Sequence, residues 1–239
     1  MNDLFTTTKN FIKECFQEEK VLRETEEGRI VRLRHSVSGN LYVCREFKGS
    51  ADALRKLIGV DCAHLARVYE AASRDGQAIV LEEFIPGDNL TELCLGMTLE
   101  SEQVRSIALD VCDALYVLHS RGLVHRDVKP ENVILDGSRS VLIDYNTVRE
   151  ASEEKKNDQN SDTRILGTMG YAPPEQYGLS QTDRTADIYA LGVLINVLLT
   201  GKHPSIKLAS GRWGRIVSRC TMTSPRKRYQ TVQAVREAL

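Results

Sequence analysis

Residues 125–132 read His-Arg-Asp-Val-Lys-Pro-Glu-Asn, and twelve residues beyond Asn132 comes Asp144-Tyr145-Asn146. No other feature of the chain restricts its fold so tightly, because these groups must meet in space to be of use together. Asp127 and Asp144 are acids, Asn132 is an amide and Lys129 a cation. These are the residue types that metal-assisted phosphoryl transfer requires. One acid orients an attacking hydroxyl. The amide and the second acid hold Mg²⁺ against phosphates. The lysine neutralises charge on the group in flight. A solvated polar loop would contain such residues in no fixed order. Eight residues in one order, with a second motif at a set distance, need a stronger explanation.

Bulk properties set limits around that motif. A chain of 239 residues can form one large domain or two lobes, with ample length for a core. Apolar residues make up 41% and charged residues 27%, as in ordinary globular proteins. The net charge of −1 argues against nucleic acid as a principal partner. There is no N-terminal apolar signal, and no run approaches the ~18 apolar residues that span a bilayer. The best candidate, residues 190–199, contains Gly192 and Asn196 and reads as a buried core helix. The six cysteines are scattered without a C-x-x-C pair, which points to reduced, mostly buried thiols of a cytosolic protein.

The pattern changes along the chain. Residues 1–20 place Phe11, Ile12 and Phe16 at weak helical spacing, which predicts an amphipathic cap on the next element. Residues 20–85 read mainly as strands. The runs 29–33 and 41–47 flank Ser38-Gly39-Asn40 and predict a hairpin; 51–58 predicts a short helix; 67–72 and 77–84 predict a second hairpin around Arg74-Asp75-Gly76. Pro86-Gly87-Asp88 breaks the pattern as a linker would. The stretch 99–121 then carries Val104, Ile107, Ala108, Val111, Leu115 and Leu118 at a 3.6-residue period, with Ser101 as N-cap and Gly122 as stop. Residues 150–164 have almost nothing to bury and predict a mobile loop. Helices are predicted near 183–200, 210–222 and 230–239.

The run at 125–132 resembles the catalytic loop H-R-D-x-K-x-x-N of protein kinases, and Asp144-Tyr145-Asn146 resembles that family's D-F-G. The resemblance extends over about 21–239. Residues 167–175, ending Ala172-Pro173-Pro174-Glu175, look like the segment closing in A-P-E. Asp187 matches the buried aspartate whose carboxylate accepts catalytic-loop N–H groups. Arg228, in Pro225-Arg226-Lys227-Arg228, resembles the late arginine that forms an ion pair with Glu175. Lys129 and the Thr168 that follows Gly167 imply a Ser/Thr protein acceptor and argue against a small-molecule kinase. Pro174-Glu175-Gln176-Tyr177-Gly178 is most similar to the Ser/Thr protein kinases of bacteria.

The resemblance implies an α+β, two-lobed fold: a small antiparallel sheet in an N-lobe at 1–85, including the extension 1–20, and a mostly helical C-lobe at 86–239. It implies ATP with Mg²⁺ or Mn²⁺ as cofactor and a protein substrate. Asp127, Lys129 and Thr168 would be catalytic, with the Thr168 hydroxyl bridging the other two. Asn132 and Asp144 would hold the metal. Ile30 and Val43 would roof an adenine slot with Ile134 and Ile143 as its floor. Leu81 would be the gatekeeper, followed by hinge residues Glu82, Glu83 and Phe84, and Asp88 would sit at the ribose. Arg126 and the hydroxyls of Ser152, Ser161 and Thr163 would form a phosphorylation-controlled pair.

The first lobe departs from that pattern. Of the glycine-rich loop only Gly28 remains, with Arg23 and Thr25 at the other two positions, so its grip on phosphate should be weaker. Arg45 stands where the strand lysine would be, keeping the charge but with a bulkier planar fork. The helix-C glutamate position falls on Ala53. Between Gly201 and Trp213 the chain is shorter than in typical kinases. These departures leave a pseudokinase, a nucleotide-binding or scaffolding module without turnover, as the alternative to an ATP–Mg²⁺-dependent Ser/Thr kinase.

Overall fold

The computed structural model describes residues 3–94, 96–145, 147–151, 170–173, 175 and 183–239. They form two compact units. One runs to Cys62 and resumes at Ala66–Ile85; the other comprises Ala63–Leu65 and Pro86–Leu239. The fold is α+β, with a five-stranded antiparallel sheet in the N-terminal region and helices dominating the rest.

The first unit opens with α1 (Leu4–Cys15), capped by Asp3, whose side chain accepts from the Thr6 N–H at 3.0 Å. Five strands follow: β1 (Phe16–Thr25), β2 (Gly28–His35), β3 (Leu41–Lys48), β4 (Val68–Arg74) and β5 (Gln77–Glu83), in sheet order β1-β2-β3-β5-β4. The expected hairpins at 29–47 and 67–84 are present. The helix expected over 51–58 is one turn, α2 (Asp52–Arg55).

β1 escaped the sequence reading because it has no alternation to read: only Phe16 is buried, and the other nine residues are exposed. Cross-strand charge holds it instead. Glu18 meets Arg29 at 2.6 Å and Glu19 meets Arg32 at 2.6 Å, with Arg34 on Glu19 as well. Opposite charges facing across a strand pair favour an edge that would otherwise be too polar to order. Ile12 and Phe16 are buried as expected, while Phe11 stays 41% exposed.

Alternation divides the sheet into two faces. Val31, Leu33, Cys44, Ala72, Ile79 and Leu81 join Ile12 and Phe16 in one apolar cluster. The register Ile30↔Arg45, Arg32↔Val43, Arg45↔Val80 and Val43↔Glu82 puts the other set on the opposite face.

The second unit is built on α4 (Ser101–Ser120) and α5 (Arg184–Thr200), with α3 (Leu90–Leu93), α6 (Gly211–Cys220) and α7 (Val232–Ala238) around them. The stripe predicted on α4 is buried throughout. Its N-cap is Glu100 and not Ser101: the Gln103 side-chain oxygen accepts from the Glu100 N–H at 3.0 Å, a reciprocal cap that serine cannot template from one position later. Gly122 adopts φ 70°, the left-handed stop expected of it. Gly192 lets α5 and α6 touch, because a Cβ there would lie 2.4 Å from that of Cys220. Short strands β6 (Asp88–Asn89), β8 (Val133–Asp136) and β9 (Arg139–Leu142) form one small sheet; β7 (Leu123–Val124) and β10 (Arg149–Glu150) form another.

None of the six cysteines is in a disulfide. Cys44, Cys112 and Cys220 are buried but Cys15, Cys62 and Cys94 only partly so, which corrects the expectation of mostly buried thiols. Burial pushes Cys44 and Cys220 up to about 12, so neither is a reactive thiolate. Among the described residues no helix is long and apolar enough to cross a membrane.

Candidate active site

In the second unit the loop between β7 and β8 carries residues 125–132. Its shape depends on one buried carboxylate. Asp187, near the start of α5 and wholly buried, accepts from the His125 N–H at 2.9 Å, the Arg126 N–H at 2.7 Å and His119 Nε2 at 2.8 Å. Two successive backbone donors aimed at one carboxylate require an unusual turn, and Arg126 accordingly sits at φ 71°. A non-glycine residue there costs about 1–3 kcal/mol and persists only where its surroundings impose it. Burial works to raise the Asp187 pKa. The hydrogen bonds from His119 and from the His125 and Arg126 N–H groups outweigh it, so the carboxyl is held below its ordinary value.

His125 completes the frame. Burial lowers its pKa, so the ring is neutral. Its Nε2–H donates to the Ile143 carbonyl at 3.2 Å, and Nδ1 accepts from the Asp127 N–H at 3.3 Å. The Thr147 hydroxyl donates to the His125 carbonyl at 2.7 Å. One imidazole therefore links the Asp127 backbone to the residue before Asp144.

On that frame Asp127, Lys129 and Asn132 meet. The Asp127 Oδ2 receives Lys129 Nζ at 2.8 Å and Asn132 Nδ2 at 2.9 Å, and Asn132 Nδ2 also donates to the Asp127 carbonyl at 2.8 Å. Asn132 is buried on a 3₁₀ turn (Pro130–Asn132) that delivers it beside the loop. Its carbonyl accepts from the Ile143 N–H at 2.9 Å, so the segment entering Asp144 is tied to Asn132. Asp144 sits at φ 68°, a second strained non-glycine residue in the cluster. Because Nδ2 of Asn132 is engaged by Asp127, its Oδ1 is the atom left for a cation. By residue type Asn132 and Asp144 could hold Mg²⁺, which takes one or two protein oxygens and completes its shell with phosphate and water. Among the described residues no cluster of three or more His, Cys, Asp or Glu could hold a metal by itself.

Glu175 and Arg228 form the buried fork expected of them. Arg228 Nη1 and Nη2 meet the two Glu175 oxygens at 2.5 and 2.9 Å, with the arginine side chain fully buried. Ile134 and Ile143 are half-buried in this unit, and Asp88 lies exposed on β6 opposite Leu135. Arg126 is buried. Thr168, Ser152, Ser161 and Thr163, with most of 150–165, lie outside the described residues, as does the predicted Asn146.

In the first unit Arg45 is 5% exposed, which excludes a solvated strand residue. Its Nε lies 3.1 Å from Glu82 Oε2, both side chains buried. The sheet thus supplies the carboxylate that helix C lacks: Glu82, expected only as a hinge residue, partners Arg45 across β3 and β5. Ile30 and Val43 share the Arg45 face and remain half-buried. Leu81 does not. Alternation sends it to the opposite face, into the cluster with Ile12 and Phe16, which separates the expected gatekeeper from Ile30 and Val43. Phe84 lies under the Arg32 guanidinium at 5.3 Å. Gly28 follows a two-residue turn, and a Cβ there would fall 2.4 Å from the Glu46 carbonyl. Close packing of β2 on β3 therefore requires a glycine here.

One supporting residue and one pairing were missed. His119 hides in the apolar stripe of α4, and an inward histidine at its last turn was the available signal. The pairing of Glu82 with Arg45 depends on strand register, which no local pattern shows.

Residues 4–230 match the protein kinase domain family. A serine/threonine-protein kinase of Nostoc, PknA, is 32% identical over 78% of this chain and 37% of its own length. Serine/threonine-protein kinase D of Synechocystis is 29% identical over 81% of this chain and 41% of its own. Kinase C of the same organism is 31% identical over 80% and 36%. The chain thus spans about two fifths of the length of these relatives.

Proposed function

This chain belongs to the protein kinase family, and we propose that it transfers the γ-phosphoryl group of ATP to a Ser or Thr hydroxyl of a protein substrate. The observation that carries the reading is the Asp127 carboxylate gripped by Lys129 and Asn132 on a loop pinned by Asp187. In this reading Asp127 orients the acceptor hydroxyl and takes its proton, and Lys129 stabilises charge on the transferring group. Asn132 Oδ1 and Asp144 would hold Mg²⁺, which when bound supplies charge neutralisation for the phosphates. Thr168 would orient Asp127 and Lys129 toward the acceptor. The bacterial relatives, named as serine/threonine kinases, support the acceptor class. A cytosolic setting fits cysteines that form no disulfide. A module without turnover would leave the Asp127–Lys129–Asn132 cluster without a use.

Calorimetry tests the metal role. ATP should bind more tightly with Mg²⁺ than with EDTA, and Asp144→Asn should abolish that difference and transfer with it. Equal affinity under both conditions would show that Asn132 and Asp144 are not metal ligands.

Arg45 takes the strand lysine's work in the same reading, held by Glu82 instead of a helix-C acid. Arg45→Ala should lower kcat/KM about 10- to 1,000-fold, as loss of a charge-assisted phosphate contact implies. Arg45→Lys should retain activity, and Glu82→Gln should lower it by a smaller factor than Arg45→Ala. An unchanged kcat/KM for Arg45→Ala would remove Arg45 from this role.

A further inference from the structure

Residues 188–236 contain nine Lys and Arg and no Asp or Glu, although the whole chain nets only −1. Some of these cations have structural work. Arg228 is committed to Glu175, Arg236 to Asp113 at 3.0 Å, and Arg212 to the Ala238 carbonyl at 2.8 Å. Arg215, Arg219 and Lys227 are different. They line one groove of about 770 Å³ along α6, and none of the three has a carboxylate partner among the described residues. Arg219 is steadied over the Tyr229 ring at 4.3 Å.

The groove has an apolar floor. Leu208 and Met222 line it and remain 45% and 41% exposed. Its wall is fixed from inside. Buried Asn196 donates to the Lys202 and Lys207 carbonyls at 2.8 Å each and accepts from the Ala209 N–H at 2.8 Å, which pins the loop before α6. Gly214 lets that loop lie on the helix, since a Cβ there would come 2.2 Å from the Ala209 carbonyl. No lining residue belongs to the Asp127 cluster.

We propose that this groove binds an acidic segment of a protein partner, seating one apolar side chain on Leu208 and Met222 with flanking carboxylates toward Arg215, Arg219 and Lys227. Charge complementarity selects the occupant: cations without local acids attract carboxylates and reject basic sequences. The apolar floor favours a peptide over a nucleic acid, because a phosphodiester backbone has nothing to place on Leu208 and Met222. The proposal concerns docking and holds whether or not the chain turns over ATP.

Fluorescence anisotropy on the full chain tests it directly, without a phosphoryl-transfer readout. The probe is a fluorescein-labelled short peptide of glutamates around a central leucine. It should bind, more weakly as salt rises. Replacing its leucine by serine should cost several-fold. Arg215→Glu with Lys227→Glu should weaken binding at least about tenfold, with Arg215→Ala and Lys227→Ala as a gentler pair and melting curves as the folding control. Undiminished binding to the charge-reversed protein, or equal binding of the serine peptide, overturns the proposal. Tighter binding to phosphatidylserine vesicles or duplex DNA than to the peptide overturns it as well.

Discussion

Asp127→Asn should slow phosphoryl transfer about 10²- to 10⁴-fold, the contribution typical of a positioned acid–base group, while leaving ATP–Mg²⁺ affinity within about threefold. The geometry explains the split. Asn keeps the size of the side chain and one acceptor for Asn132, so the loop stays on its Asp187 anchor. The ion pair with Lys129 at 2.8 Å loses its negative partner, and no base faces the acceptor hydroxyl. Asp127 is not a metal ligand in this reading, so nucleotide binding has no reason to fall. Single-turnover transfer and calorimetry on the same variant separate the two effects. Transfer above about a tenth of the parent rate would remove Asp127 from the role.

The second unit was far more legible in sequence than the first, and for a physical reason. Catalytic-loop residues act through side-chain type at short spacing, so Asp127, Lys129 and Asn132 announce themselves and are found within hydrogen-bond reach of one another. The α4 stripe is a local period and survives intact. Long-range partners have no such mark. His119 reads as one more stripe residue until α5 brings Asp187 against it. In the first unit the lysine, the helix-C acid and two glycines are all replaced, so motif matching finds departures where the fold holds substitutes. Arg45 keeps a carboxylate partner, but it comes from β5, thirty-seven residues away in sequence and adjacent only through register. Gly28 has a reason to be glycine that no local pattern shows: a side chain there would meet the backbone of β3. Leu81 shows how one step of alternation changes a role: its neighbours Val80 and Glu82 face Arg45, and it does not.

Arg228→Met should destabilise the chain by about 3–5 kcal/mol, because removing one member of a buried pair strands the other. The Glu175 carboxylate, 13% exposed, would lose both guanidinium contacts at once. The loss is wider than the pair. Arg228 Nε also donates to the Met222 carbonyl at 2.8 Å, Nη1 to the Thr185 carbonyl at 3.1 Å and Nη2 to the Thr223 carbonyl at 3.3 Å, and the group lies 4.9 Å from the Tyr189 ring. For a chain of this length the melting temperature should fall by about 6–20 °C. A second substitution, Glu175→Leu, removes the stranded charge and should recover part of the loss in the double variant, as replacement of whole buried pairs often does. Recovery should stay incomplete, since three backbone carbonyls still lack their donor. Arg228→Lys should behave more like Met than like the parent, because one ammonium cannot span a carboxylate and three carbonyls from a single point. Chemical denaturation of the four proteins gives the cycle. A single Arg228→Met variant within about 1 kcal/mol of the parent would mean that the fork is neutral and that packing around Tyr189 and α5 alone fixes this corner.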